Sequence, residues 1–177
     1  MNNNIFSKTL IPNIKSTLNE KFGEQGNAIF TIAEQVLSAE LNTVDDRGNK
    51  IIGKHIWNNI LPGYACYKAL LNAGVSNTQA IALVEQEMCK SAERMASLCS
   101  KLSNKSYAYP LFQTLFGLGM KFGYPKEGWT VEPLKKSKER IRFNMNSCLY
   151  CEKLEKRGAL ELYPAFCQTD HTTYDPL

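Results

Sequence analysis

A stripe of seven apolar residues narrows the possible folds of this chain more than any other feature. It runs through Ile81, Val84, Met88, Ala92, Met95, Cys99 and Leu102. Steps of three and four residues put all seven on one side of an α-helix, where a strand would need strict alternation. The pattern holds for about 24 residues, and a helix with one apolar side must lie along other elements to bury it. Ser76-Asn77-Thr78-Gln79 has the form of a capping box, which places the helix start.

Other segments repeat the same period. Ile11, Ile14, Leu18 and Phe22 form one apolar side, with Pro12 tolerable only near the helix start and Gly23 and Gly26 breaking it. A second helix carries Ile29, Ile32, Ala33, Val36, Leu37 and Leu41, and ends before the polar turn Asp45-Asp46-Arg47-Gly48-Asn49. Residues 51–60 read as helical; His55, near Trp57, is expected to be a satisfied structural histidine rather than a ligand. Pro62 falls in the first turn of a further helix that buries Tyr64, Tyr67, Leu70 and Leu71 and stops at Gly74. After the polar break at 103–106, residues 107–122 form an apolar, aromatic helix loosened by Gly117 and Gly119. A loop then delivers Trp129. Cys66, Cys89 and Cys99 read as small core side chains.

Past Trp129 the period changes from helical to alternating. Ile141, Phe143 and Met145 alternate with Arg140, Arg142, Asn144 and Asn146, which predicts a strand with one buried face. Residues 148–157 form a short helix stopped by Gly158, and 160–166 another interrupted by Pro164. The expected fold is mainly α (α+β), one domain over residues 1–177. Its N-terminal two-thirds resemble a helical bundle, and a small β element precedes a Cys-containing motif region at 139–171.

A chain of 177 residues can bury a core without staples, and 44% hydrophobic with 21% charged residues is ordinary globular composition. The net charge of +4 arises largely at Lys135, Lys136, Lys138, Arg140 and Arg142, followed by Lys153, Lys156 and Arg157. No aromatics interleave them and no nucleic-acid motif accompanies them, so they read as a solvated face and no nucleic-acid partner is expected. The start, MNNNIFSK, lacks the features of a signal peptide, and no stretch approaches the roughly 18 apolar residues of a membrane span. The expectation is a cytoplasmic protein with reduced cysteines and no membrane contact. Closely spaced cysteines there lean towards catalysis or metal.

Three chemistries fit the motif region. Cys148 and Cys151 with Cys167 and His171 have the paired spacing of a tetrahedral zinc site. Cys148-Leu149-Tyr150-Cys151 has the spacing of a redox pair, without the βαβ setting of a thioredoxin-like fold. Alternatively, Cys148 and Cys167 meet in space, one thiolate attacks an acyl or amidine-type carbon, and Asp170 holds the amidinium.

A resemblance separates these readings. Ile60-Leu61-Pro62-Gly63-Tyr64-Ala65-Cys66-Tyr67-Lys68-Ala69-Leu70-Leu71, then Gly128-Trp129, then Phe143 with Cys148-Leu149-Tyr150, then Glu161-Leu162 leading to Phe166-Cys167 and Asp170, resembles the L-2-amino-thiazoline-4-carboxylic acid hydrolase family. The likeness runs in order over roughly residues 50 to 177. It implies a bacterial, cytoplasmic, helical protein acting on a small-molecule substrate by hydrolytic opening of a cyclic isothiourea or amidine C–N bond. No cofactor is implied. Residue by residue, the motif places its cysteines at Cys148 and Cys167 and its acid at Asp170; Cys151 and His171 lie outside it. Cys167 is the first candidate nucleophile and Cys148 the second, with Asp170 orienting the amidine. Arg142 or Arg140 would meet a substrate carboxylate and Trp129 would wall the pocket.

Two positions depart from the family pattern. Ser147 stands where Arg is usual, and the further strand segment with its Arg and Cys-Asp-Phe-like motif does not follow Asp170. An unpaired strand edge at 140–146 is then expected, which predicts a homo-oligomer. A non-catalytic binding protein and a zinc-stabilised protein are the alternative readings.

Overall fold

The computed structural model describes residues 4–133 and 140–175. A short turn at Ile5–Lys8 leads into α1 (Ile14–Phe22), and Phe6, Ile11, Ile14 and Leu18 are fully buried. Gly23, at φ +57, ends α1, and α2 (Glu24–Leu41) begins at once. Gly26 does not break the helix as expected; it lies within α2. A Cβ there would stand 2.4 Å from the Leu18 carbonyl oxygen, so its missing side chain lets the two helices meet backbone to backbone.

The sequence predicts separate helices on either side of Ile60, yet α3 (Lys50–His55) runs through one wide turn, Ile56–Ile60, into α4 (Leu61–Asn72). Pro62 explains the wide turn. It has no N–H for the Asn58 carbonyl and its ring presses on that group, so the local bonding loosens and the Leu61 N–H reaches back to Ile56. The freed Asn58 carbonyl accepts instead from the Leu10 N–H at 2.7 Å, tying the N-terminal segment to the core. α4 is buried nearly all round, and α2 packs against it. Its Gly63 faces Met88 and Phe166 so closely that a Cβ would meet them at 2.5 and 2.8 Å.

α5 (Asn77–Ser103) starts as predicted, with the Ser76 hydroxyl accepting from the Gln79 N–H. It lies along the last helix, α8 (Tyr163–Tyr174), and against α4. The first half of its stripe is core, and in the second half only Cys99 is buried. Val84 and Met88 are fully buried, but Met95 is 51% and Leu102 39% exposed. α6 (Ala108–Gly123) faces this second half without closing on it; Ala108 is its one buried residue, and Leu111, Leu115, Leu118 and Phe122 are exposed.

A strand unseen in the sequence, β1 (Trp129–Pro133), pairs antiparallel with β2 (Phe143–Cys148), Trp129 standing opposite Cys148. The register shifts between Thr130 and Val131, so Asn146 is an extra residue on β2. The alternation of β2 is present, but its expected buried face is not: Phe143 and Met145 are 37% and 41% exposed and line a cavity instead. Ser147 earns its place by bonding to Thr130 twice, through its hydroxyl to the Thr130 N–H and side chain. α7 (Leu149–Glu155) follows directly and is stopped at Gly158, at φ +62. Pro164 starts α8 rather than interrupting a helix, because in the first turn its missing N–H is no loss.

Lys135, Lys136, Lys138 and Glu139 lie outside the described residues. Three other basic residues are engaged: Lys156 pairs with Glu152, Arg157 with Glu40, and the buried Lys153 donates to the Asp45 carbonyl. Among the described residues no helix is long and apolar enough to cross a membrane.

Candidate active site

The C-terminal end of β2 and the outer side of α8 bring the motif residues together. Cys148 ends the strand and caps α7, and one turn on the Cys151 thiol lies within electrostatic reach of the Cys148 thiol. On α8, Cys167, Asp170 and Tyr174 recur three and four residues apart and share a side. The cysteines at 148, 151 and 167 lie within electrostatic reach of one another, as do Cys167 and Asp170.

Their surroundings disfavour charge. Burial, then the Cys148 thiol and the Asp170 carboxyl nearby, raises the Cys167 thiol above its ordinary value. Burial and Cys148 push Cys151 up to about 11. Asp170 keeps solvent contact along an open cavity, yet protein surrounds it on most sides, and that desolvation raises its carboxyl pKa while His171 opposes the rise. Among the described residues Asp170 makes no hydrogen bond or ion pair. Burial, followed by the charge of Asp170, pushes the nearby Tyr124 phenol up to about 12.

Below these groups lies a closed polar network. His55 Nε2 is 2.9 Å from the Gly123 carbonyl, which can only accept, so the neutral ring carries its proton there. Nδ1 therefore accepts from the Tyr150 hydroxyl at 2.9 Å, and the Asn59 amide donates to the same hydroxyl at 3.0 Å. Burial lowers the His55 pKa, which keeps the ring neutral. His55 is thus the satisfied structural histidine expected. Its two bonds, with that of Asn59 to the Tyr150 hydroxyl, link the end of α3 and the wide turn to the end of α6 and the first turn of α7, and so fix the helix that Cys148 caps. Sequence reasoning missed this role, although Tyr150 stood inside the Cys148-Leu149-Tyr150 motif.

Trp129 is 2% exposed and packs edge-on against His55 and Tyr124, with ring centres 4.8 and 5.0 Å away. Arg140 and Arg142 line a cleft of about 1,090 Å³ that also takes in Trp129. That cleft shares Tyr124 and Phe143 with a second cavity of about 530 Å³, which Asp170 and Tyr174 line between α5, α6, β2 and α8. The structure therefore brings Cys148 and Cys167 within electrostatic reach of each other, and Asp170 within reach of Cys167; Asp170 lines the cavity beside the arginine and Trp129 cleft, while neither cysteine is among the described lining residues of either.

The zinc arrangement does not form. Among the described residues no group of three or more His, Cys, Asp or Glu side chains is placed to hold a metal ion. His171 is exposed and stands 3.4 Å from Asp175.

Much of the remaining motif is packing. The Tyr67 hydroxyl donates to Glu161 at 2.5 Å and accepts from Asn77 at 2.7 Å, joining α4 and α5 to the turn before α8. Gly63 admits Phe166, whose ring lies 5.1 Å from that of Tyr150. No curated protein and no solved structure matches the chain. A family model described as L-2-amino-thiazoline-4-carboxylic acid hydrolase matches residues 53–176, so the chain belongs to that family.

Proposed function

We propose that the protein hydrolyses a C–N bond of a cyclic amidine or isothiourea, with Cys167 as nucleophile, Cys148 as its neighbouring contact and Asp170 holding the amidine N–H groups. One observation supports the reading: the Cys148 thiol at the end of β2 lies within electrostatic reach of Cys167 on α8, and Cys167 within reach of Asp170, a carboxyl without a partner among the described residues. The Cys167 sulfur adds to the amidine carbon, and the ring nitrogen leaves as an amine, taking up the thiol proton. Water then adds to the same carbon and expels the sulfur, which regains a proton, so the sum is substrate plus one water. Asp170 hydrogen-bonds the amidine throughout and favours the positive charge that develops on it. Arg142 and Arg140 are the candidates for an anionic substituent, because their cleft adjoins at Tyr124 and Phe143. Trp129 backs that cleft.

With L-2-amino-thiazoline-4-carboxylate as probe, Cys167→Ala should lower turnover by about a hundredfold or more. The rate of the unaltered protein should climb above neutral pH, since the raised Cys167 pKa leaves little thiolate below it. Unchanged rates in both Cys148→Ala and Cys167→Ala would end the proposal.

The raised thiol also favours a second reading, a binding member of the family without turnover. It predicts that the same probe raises the melting temperature while no product forms.

A further inference from the structure

The cavity that Asp170 lines is chemically lopsided. It measures about 530 Å³, within the range of pockets that take drug-sized ligands. Its walls are the second half of the α5 stripe, the inner side of α6, and Phe143 and Met145 of β2. Asp170 is the one ionisable carboxyl among the described lining residues, and Lys, Arg and His are absent from them. A bare, small zwitterionic ring would therefore leave most of this space unused and find no cation here for its carboxylate.

The apolar walls are no accident of one residue. Met95, Leu98 and Leu102 on α5 and Leu111 and Leu115 on α6 are each 39% to 57% exposed, yet they face a common space that ends at a carboxyl. An apolar protein surface laid over it would strip water from Asp170 and offer nothing in return. An amphiphile with a cationic head answers both ends at once.

We infer that the natural substrate carries its amidine-type head on a long apolar arm, the head bonded by Asp170 and the arm lying between α5 and α6. This rests on the proposed role of Asp170 in holding an amidine, and it adds the substituent that distinguishes this chain's substrate from the ring named by its family. The arm gains its affinity from burial, each methylene removed from water contributing roughly a fourfold factor until the cavity is full.

The test separates binding from chemistry. Straight-chain alkylamidines of two, six and ten carbons are titrated calorimetrically into the full chain and into the Cys148→Ala/Cys167→Ala double variant. Affinity should climb steeply with length in both proteins, by roughly a hundredfold or more between two and six carbons. Asp170→Asn should weaken every amidine about tenfold while leaving neutral alkylamides of equal length unaffected. Leu115→Glu, at a site 57% exposed, should flatten the length series without lowering the melting temperature. A flat series in the unaltered chain overturns the inference, as does a series indifferent to Leu115→Glu. So does a ligand-free dimer whose dissociation is required before any amidine binds, because the face would then belong to a second copy. Loss of hydrolysis with the length series intact would remove the catalytic proposal and leave this one standing.

Discussion

Two parts of this molecule have nearly the same sequence character and opposite fates. α4 and the first half of α5 are apolar at helical spacing, and Leu70, Val84 and Met88 are fully buried. α6 is just as apolar, yet Leu115 and Phe122 are 57% and 62% exposed. That packed side closes because small residues let backbones and side chains approach: Gly63 of α4 against Met88 and Phe166, as Gly26 of α2 does against Leu18 of α1. In α6 a Cβ at Gly117 or Gly119 would meet nothing within 4 Å. Apolar periodicity therefore announces that a face wants cover, and says nothing about whether the chain itself supplies it.

The sharpest way to break that comparison is the same truncation in both regions. Leu70→Ala should destabilise by about 3 kcal/mol, the transfer and cavity cost of a packed leucine, whereas Leu115→Ala should stay within about 0.5 kcal/mol. Denaturant titration with a constant slope measures both. Equal losses would mean that α6 is packed as tightly as the core.

Glycine replacements sharpen the contrast by reversing sign. Gly26→Ala should cost about 2 kcal/mol, since its new methyl meets the Leu18 backbone and outweighs the roughly 1 kcal/mol of helix preference it brings. Gly117→Ala meets open space and should stabilise by up to about 1 kcal/mol, read as a higher melting temperature. A destabilising Gly117→Ala would expose a hidden contact.

The smallest effect is electrostatic and belongs to the ordered side. Arg47 bonds the Glu152 carboxylate at 2.5 Å and also reaches the Glu127 carbonyl, joining α7 to the loop before β1. Arg47 first, then Lys156, holds the Glu152 pKa at about 2. Its depressed pKa means that the stabilisation is complete above the ordinary carboxylate value and is lost as pH falls from about 4.5 towards 2. Because both side chains are partly exposed, the loss should be about 1 kcal/mol, and Arg47→Ala should remove this acid slope from the stability curve. A slope unchanged in that variant would assign the acid sensitivity elsewhere.

Several features were readable from residue order because their causes are local. Ser76 capping α5, Gly23 and Gly158 ending helices at positive φ, and the alternation of β2 depend on neighbours within a few residues. The order of the motifs likewise placed the chain in its family. Pro62 does sit in the first turn of α4, but the wide turn before it was missed because its bonding passes through a distant partner, the Leu10 N–H that takes up the Asn58 carbonyl. β1 escaped notice because a five-residue strand ending in proline has too short an alternation to stand out.

Residue order by itself determined the helices, their caps and which side of each is apolar, since these follow from backbone geometry and short-range bonding. Only the tertiary structure decided that Cys148 comes within electrostatic reach of Cys167, that His55 braces Tyr150, and that the apolar side of α6 opens on a cavity. Those outcomes depend on how closely elements remote in sequence approach, which is set by side-chain volumes at their crossings and cannot be counted along the chain.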